Sequence, residues 1–248
     1  MSLTERVALV TGAGNPHAIG AAICRALVER GADVCLTFHP GGGESEPSEL
    51  VAALRSAGAR AAAIGIDLAD VAAVARLFDE AESRVGAPSI LVNNAAHSTP
   101  DGYQALDAET LDAHHAVNLR ATALLSVDLA RRHAGGPGRI VNLTSGQSLG
   151  PMPGELAYAA SKGAVDAFTR TLAAELAPLG ITVNAVGPGP NDTGWIDAEL
   201  RRRLLPRFPM GRLGKPDDAA ALVAFLVSDE AGWITGQVIH AEGGFLRR

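Results

Sequence analysis

Only two cysteines, Cys24 and Cys35, occur among the 248 residues, in segments patterned as buried helix and buried strand. Two thiols cannot make a disulfide framework or a cysteine metal cluster, so both are expected as packed core. Basic residues form no long run, and the net charge of −6 is spread along the chain, which argues against tracking a nucleic-acid backbone. Nowhere do apolar residues run uninterrupted for the roughly 18 positions that a membrane-spanning helix requires. The start, with Glu5 and Arg6 ahead of a short apolar run, lacks the pattern of a secretion signal, and a cytoplasmic location is expected. His97, His114, His115 and His240 have no carboxylate or cysteine companions in a ligand pattern, and no metal is expected.

What the chain does have is alternation. Apolar, β-branched runs at Val7 to Thr11, Val34 to Phe38, Ala61 to Ile66, Ile90 to Asn93, Arg139 to Leu143, Thr182 to Val186 and Gln237 to His240 read as strands buried on both faces. Between them, helical patterns cover about Ala18 to Arg30, Pro47 to Ala57, Ala69 to Val85, Asp107 to His133, Leu156 to Pro178 and Pro216 to Ser228. This predicts one α/β domain over residues 1–248, a doubly wound Rossmann-type parallel sheet of about seven strands with helices on both faces. With 47 % hydrophobic residues the chain can bury such a core without a second domain. Residues 187–212 lack a strand signal but hold a short amphipathic helix between Pro and Gly, as expected of a substrate lid.

Two segments carry chemistry. Thr11-Gly-Ala-Gly-Asn-Pro-His-Ala-Ile-Gly20 joins the first strand to the first helix, where unpaired N–H groups and the helix dipole suit a pyrophosphate. Tyr158 and Lys162 stand four residues apart on one helix face, and Ser145 precedes the tyrosine by thirteen residues. A phenol of ordinary pKa about 10 is a poor acid at neutral pH, and a neighbouring ammonium is expected to hold that pKa down. Such a phenol suits the reduction of a ketone, where negative charge develops on oxygen, and the Ser145 hydroxyl can donate to the same oxygen.

Along essentially its whole length the chain resembles the short-chain dehydrogenase/reductase family. The matches are Thr11-Gly12 with Ile19-Gly20, Asp67-Leu68, Asn93-Asn94-Ala95, Asn118, Ser145, Tyr158, Lys162, Val183-Asn184, Pro188-Gly189 and Thr235-Gly236. Within the family it looks most like bacterial ketoreductases related to 3-oxoacyl-carrier-protein reductase. The turn between Gly12 and Gly20 is two residues longer than the common form and carries Ala18 in place of a middle glycine, as in enoyl reductases of the same superfamily, while the Tyr158 to Lys162 spacing is the ketoreductase one. The resemblance implies that Lys162 also holds the nicotinamide ribose and that Asn118 sustains a proton-relay water. It places Asp67 at the adenine, a residue that also suits a helix N-cap, and Asn93 and Ala95 along the adenosine ribose. Leu68, Pro188 and Gly189 join the expected cofactor contacts, and Thr193 is the candidate carboxamide anchor.

The second strand ends in Phe38-His39, with no acid to accept from a ribose 2′-hydroxyl, so NADP(H) is expected over NAD(H). His39, Asn15 and the amides of Gly41 to Gly43 are candidates for the 2′-phosphate, against the nearby charges of Glu44 and Glu46. Substrate-facing candidates are Gln147, Glu155 and Trp195, with His97, Leu149, Pro151, Leu200 and Phe208. Several of these equally suit packing of the lid or a subunit contact. A 3-oxoacyl thioester or a free ketone fits the set. The alternatives are an NAD-dependent alcohol dehydrogenase and a nucleotide-sensing regulator without turnover. The resemblance also implies a homotetramer paired through the helices that start near Asp107 and Leu156.

Overall fold

The computed structural model describes residues 2–42, 46–194 and 196–247. Seven parallel strands form one sheet in the order β3-β2-β1-β4-β5-β6-β7. They are β1 (Val7–Val10), β2 (Asp33–Phe38), β3 (Ala61–Gly65), β4 (Ile90–Asn93), β5 (Gly138–Leu143), β6 (Ile181–Gly187) and β7 (Val238–His240). The helices are α1 (Ile19–Val28), α2 (Ser48–Ser56), α3 (Val71–Arg84), α4 (Ala108–His114), α5 (Thr122–Arg132), α6 (Leu156–Leu176), α7 (Ala198–Leu204) and α8 (Pro216–Leu226). The expected doubly wound α/β fold is the fold observed.

The two-residue period of each strand divides the core. Ala8 and Val10 of β1 join Val34, Leu36, Ile90 and Val92 in the layer beneath α1, α2 and α8. Val7 and Leu9 turn the other way, with Cys35, Leu91 and Ile140, beneath α3, α5 and α6. Both faces are therefore apolar, as a parallel sheet covered on two sides demands. Cys24 and Cys35 belong to opposite layers, and burial pushes both thiols up to about 12.

Strand order reverses between β1 and β4, so the loops leaving these two strands diverge and open a crevice at their carboxyl ends. The turn after β1 is shaped by two close approaches. A Cβ at Gly12, whose φ is +68°, would sit 2.6 Å from Ala95 Cα, and one at Gly20 would sit 2.5 Å from the Gly12 carbonyl oxygen. Asn94 locks the arrangement, its Nδ2 donating to the carbonyls of Thr11 and Gly12 at 2.9 and 2.8 Å.

Two helices begin or continue differently from the sequence expectation. Asp70, not Asp67, caps α3, accepting from Ala72 N at 2.8 Å, while Asp67 makes an Asx turn by accepting from Ala69 N at 2.8 Å. The pattern from Asp107 to His133 is one helical run with a π-helical segment, His115–Ala121, between α4 and α5. Such segments concentrate at functional sites, and this one contains Asn118.

Gly12→Ala is expected to cost roughly 2–4 kcal/mol, from a backbone conformation unfavourable to L residues and the clash with Ala95. Urea unfolding of the variant beside the wild type measures it.

Candidate active site

The crevice is a cavity of about 630 Å³ at the carboxyl ends of β1 to β4. Of the residues expected to hold a cofactor, Gly12, Ile19, Gly20, Phe38, His39, Asp67, Leu68, Ala95 and Thr193 line it. Sequence reasoning missed Thr37, which also lines it and whose hydroxyl accepts from Gly12 N at 3.1 Å while its carbonyl accepts from Ala13 N at 2.8 Å. At one wall stands the N-terminus of α1, capped by Ala18 without a side-chain hydrogen bond and with no acid in its first turn. Its backbone donors and dipole favour an anion there.

Several expected contacts lie elsewhere. Asn93 is buried beneath the crevice floor, where its Nδ2 donates to Asn142 Oδ1 at 2.8 Å and Ser126 Oγ at 3.1 Å. Paired with Asn142 across β4 and β5, it is a strut of the sheet, and Asn94 and Ala95 take the place at the wall. Asn15 is exposed, its side-chain oxygen engaged by His17 N at 2.9 Å. Pro188 and Gly189 do not line the cavity, and both carbonyls accept from Asn191 Nδ2, at 2.6 and 3.1 Å. Trp195, Gly43 and Glu44 lie outside the described residues.

Beside the crevice, Asn118, Ser145, Tyr158 and Lys162 come together from three elements. The π segment presents Asn118, 0 % exposed, whose amide accepts from His97 N at 2.7 Å and donates to His97 O at 2.9 Å and Ser161 Oγ at 3.0 Å. Helix α6 carries Tyr158 and Lys162, and its start is fixed by Asp101, which accepts from the N–H groups of Leu156 and Ala157 at 2.6 and 2.8 Å. This distant cap leaves no signature in the sequence around α6. Ser145 follows β5 and lies near enough to the phenol to oppose the rise of its pKa.

Lys162 is 3 % exposed and donates to the Leu143 carbonyl at 2.7 Å, with its Nζ 5.7 Å from the centre of the Tyr158 ring. Burial pulls its pKa down to about 8, opposed by Asp166. Tyr158 departs from expectation in sign: its pKa is raised, because burial dominates, the Ser145 hydrogen bond opposes it and Glu155 adds repulsion. Lysine and phenol share one desolvated site, and loss of water is the largest influence on both. The ring of His114, with Nδ1 2.8 Å from Thr110 O and Nε2 accepting from Thr99 N at 3.3 Å, lies edge-on to both Tyr158 and His97, and His97 lines the crevice.

Among the substrate candidates, Gln147 turns inward, its Nε2 donating to Asp166 Oδ2 at 2.7 Å and Thr144 Oγ1 at 3.1 Å. Phe208 packs the segment after β6, with Ile196, Leu213 and Leu200, its ring 4.8 Å from that of Phe245. Leu149 lies against the C-terminal residues instead of the crevice. Glu155 sits half-buried one turn before Tyr158, and burial and Asp101 raise its pKa.

Residues 12–246 match the family model described as enoyl-(acyl carrier protein) reductase. An uncharacterised oxidoreductase of Bacillus subtilis (strain 168), YjdA, is 54 % identical over 98 % of each chain. The chain belongs to the short-chain dehydrogenase/reductase family. Cis-4-hydroxycyclohexanecarboxylate dehydrogenase of Sinomonas cyclohexanicum is 38 % identical over 98 % of each chain. A short-chain dehydrogenase of Burkholderia cenocepacia J2315, solved in complex with NADP, superposes with a TM-score of 0.89 at 38 % identity, covering 98 % of this chain and 99 % of that one. This short-chain dehydrogenase/reductase is thus an oxidoreductase of carbonyl and alcohol groups, in a family that binds NAD(P). The crevice fits such a dinucleotide, with glycines at the turn, backbone donors at α1 and a cavity of about 630 Å³. Among the described residues no helix is long and apolar enough to cross a membrane.

The charge of Lys162 gives a pH test. Its pKa in the fold, about 8, lies below the ordinary 10.5, so the folded state binds fewer protons than the unfolded between these values. Stability from this group is therefore present above about 10.5 and lost as pH falls to about 8. Between about pH 10.5 and pH 7 the wild type is expected to lose stability on the order of 3 kcal/mol relative to Lys162→Met, whatever the offset between the two at high pH. Thermal unfolding of both proteins across that range measures it.

Proposed function

We propose that this chain reduces a ketone to a secondary alcohol with NADPH, in the manner of 3-oxoacyl-carrier-protein reductases. The observation that carries the reading is the meeting of Ser145, Tyr158 and Lys162 beside the crevice, with the Tyr158 ring 5.7 Å from the lysine nitrogen and edge-on to His114, itself edge-on to the crevice residue His97. A bound nicotinamide supplies the hydride. Tyr158 gives its O–H proton to the carbonyl oxygen, Ser145 donates a hydrogen bond to the same oxygen, and Lys162 stabilises the charge left on the phenol. Asn118 fixes the backbone of His97 and the hydroxyl of Ser161, which in turn donates to the Tyr158 carbonyl at 2.8 Å. A raised phenol pKa keeps the proton on the oxygen at rest, so the push for transfer must come from the charge that develops on the substrate oxygen and from Lys162. The Sinomonas relative, named a dehydrogenase, supports oxidation as the second reading.

NADPH is preferred because Phe38 and His39 line the crevice at the end of β2 with no acid there, and the Burkholderia relative was solved with NADP. Residues 187–212 form the substrate lid in this reading, packed around Phe208 in a small apolar cluster completed by Leu213 and Phe245. The substrate is a 3-oxoacyl thioester or a free ketone, met by His97 and Glu155. A homotetramer is part of the same proposal, and Leu124 on α5 and Leu156 on α6, both exposed, are apolar positions that pairing would cover.

Tyr158→Phe is expected to keep NADPH affinity within about twofold and to lose at least about 100-fold in kcat. Near-normal turnover in that variant overturns the mechanism. Steady-state kinetics with the two cofactors should give a kcat/KM at least about tenfold higher for NADPH, and a higher value with NADH refutes the preference.

A further inference from the structure

One buried carboxylate beside the site has no part in the mechanism above. Asp166 is 4 % exposed and lies on α6 one helical turn beyond Lys162, so the two side chains share a helix face. Its two oxygens are held separately: Oδ1 accepts from Thr144 Oγ1 at 2.6 Å and Oδ2 from Gln147 Nε2 at 2.7 Å. Thr144 and Gln147 flank Ser145 in the loop after β5. The carboxylate therefore grips that loop on both sides of the serine while standing next in line to the lysine.

We propose that Asp166 is a positioning residue for the reaction, clamping the Ser145 loop through Thr144 and Gln147 and serving as the buried countercharge of Lys162. The proposal rests on the ketoreductase reading for its link to turnover. Burying a carboxylate merely to anchor a loop is costly when an amide or hydroxyl makes the same hydrogen bonds. An anion is worth its desolvation here because an ammonium, itself out of water, stands one turn away. The attraction of Asp166 acts on Lys162 against the downward pull of burial. Tyr158 and Glu155 stand near this pair, and His240 and Arg247, the latter paired with Glu242, face the Ser145 loop at Ser148 and Gly146; Glu155 acts on the phenol.

Asp166→Asn removes the charge and preserves the shape. The buried Gln147 Oε1 lacks a hydrogen-bond partner, so a turned Gln147 amide can accept from the new side chain. A double-mutant cycle of D166N and K162M, read by thermal unfolding at pH 7, needs no substrate. D166N is expected to lower Tm by about 5 °C or more with Lys162 present and by less than half of that in the K162M background. Folding of the double variant when D166N alone does not fold has the same meaning, and equal losses in both backgrounds overturn the countercharge. In the pH profile of kcat/KM, D166N should move the alkaline limb down by about one unit. Gln147→Leu should lower kcat severalfold and leave the limb in place. An unmoved limb in D166N refutes the proposal. A wild type that reduces no carbonyl refutes the ketoreductase reading instead, and the stability cycle then decides for or against the countercharge.

Discussion

A lysine ammonium held out of water is the constraint around which this site is arranged. Desolvating such a group costs several kcal/mol, and one hydrogen bond to the Leu143 carbonyl, at 2.7 Å, does not offset it. The rest must come from fields set up by neighbours: the face of the Tyr158 ring, the carbonyl ends of β5 and the carboxylate of Asp166. Each is fixed by something further away. Asp101 starts α6, Thr144 and Gln147 hold Asp166, and Asn118 ties the crevice wall at His97 to Ser161 on α6. The chain contains two lysines, Lys162 and Lys215, with arginine supplying nearly all other positive charge. A compact ammonium that can lose its proton stands where an always-charged guanidinium would not serve.

The architecture was legible because its signals are local and repeated. β-branched runs of two-residue period alternate with amphipathic helices, and the glycine turn falls where the first strand meets the first helix. Ser145, Tyr158 and Lys162 were legible by spacing and Asn118 only by resemblance, and the four lie near one another in the fold. The failures share a cause: polar side chains near the site were assigned outward when they point inward. Asn93 and Gln147 both turn into the protein, the one donating to Asn142 and Ser126, the other to Thr144 and Asp166. Orientation of a polar residue at a strand end depends on its partner across the sheet, and Asn142 and Thr169 are 49 and 27 residues from the groups they bond. Asp166, four residues after Lys162, did leave a signal in the i, i+4 pairing of opposite charges.

The lengthened turn and the tyrosine spacing point to different branches of one family, and the fold separates their consequences. The turn between Gly12 and Gly20 contacts Ala95, Asn94 and the amide ladder of β2, on the side of the crevice away from α6. Its extra residues change how the chain enters α1, with His17 N and Ala18 N both turning back on Asn15 at 2.9 and 3.1 Å. The Tyr158 to Lys162 interval acts at the other end, where it sets which atoms meet a carbonyl. A match to a family model described as enoyl-(acyl carrier protein) reductase is therefore compatible with ketone chemistry, since the part that departs from the ketoreductase pattern lies in the nucleotide half.

The sign of the Tyr158 shift has a consequence for where the proton rests. A phenol with its pKa lowered toward neutrality would exchange its proton readily both ways. Burial does the reverse here, while a lysine with pKa about 8 is still mostly charged at pH 7. The site at rest therefore stores a proton on the acid and a positive charge beside it. Donating that proton leaves phenolate against ammonium, an attractive pair in a desolvated site, whereas the resting state sets the same cation beside a neutral ring. The electrostatic gain thus appears only as the proton leaves, and a group arranged this way stabilises the transition state of reduction more than its ground state.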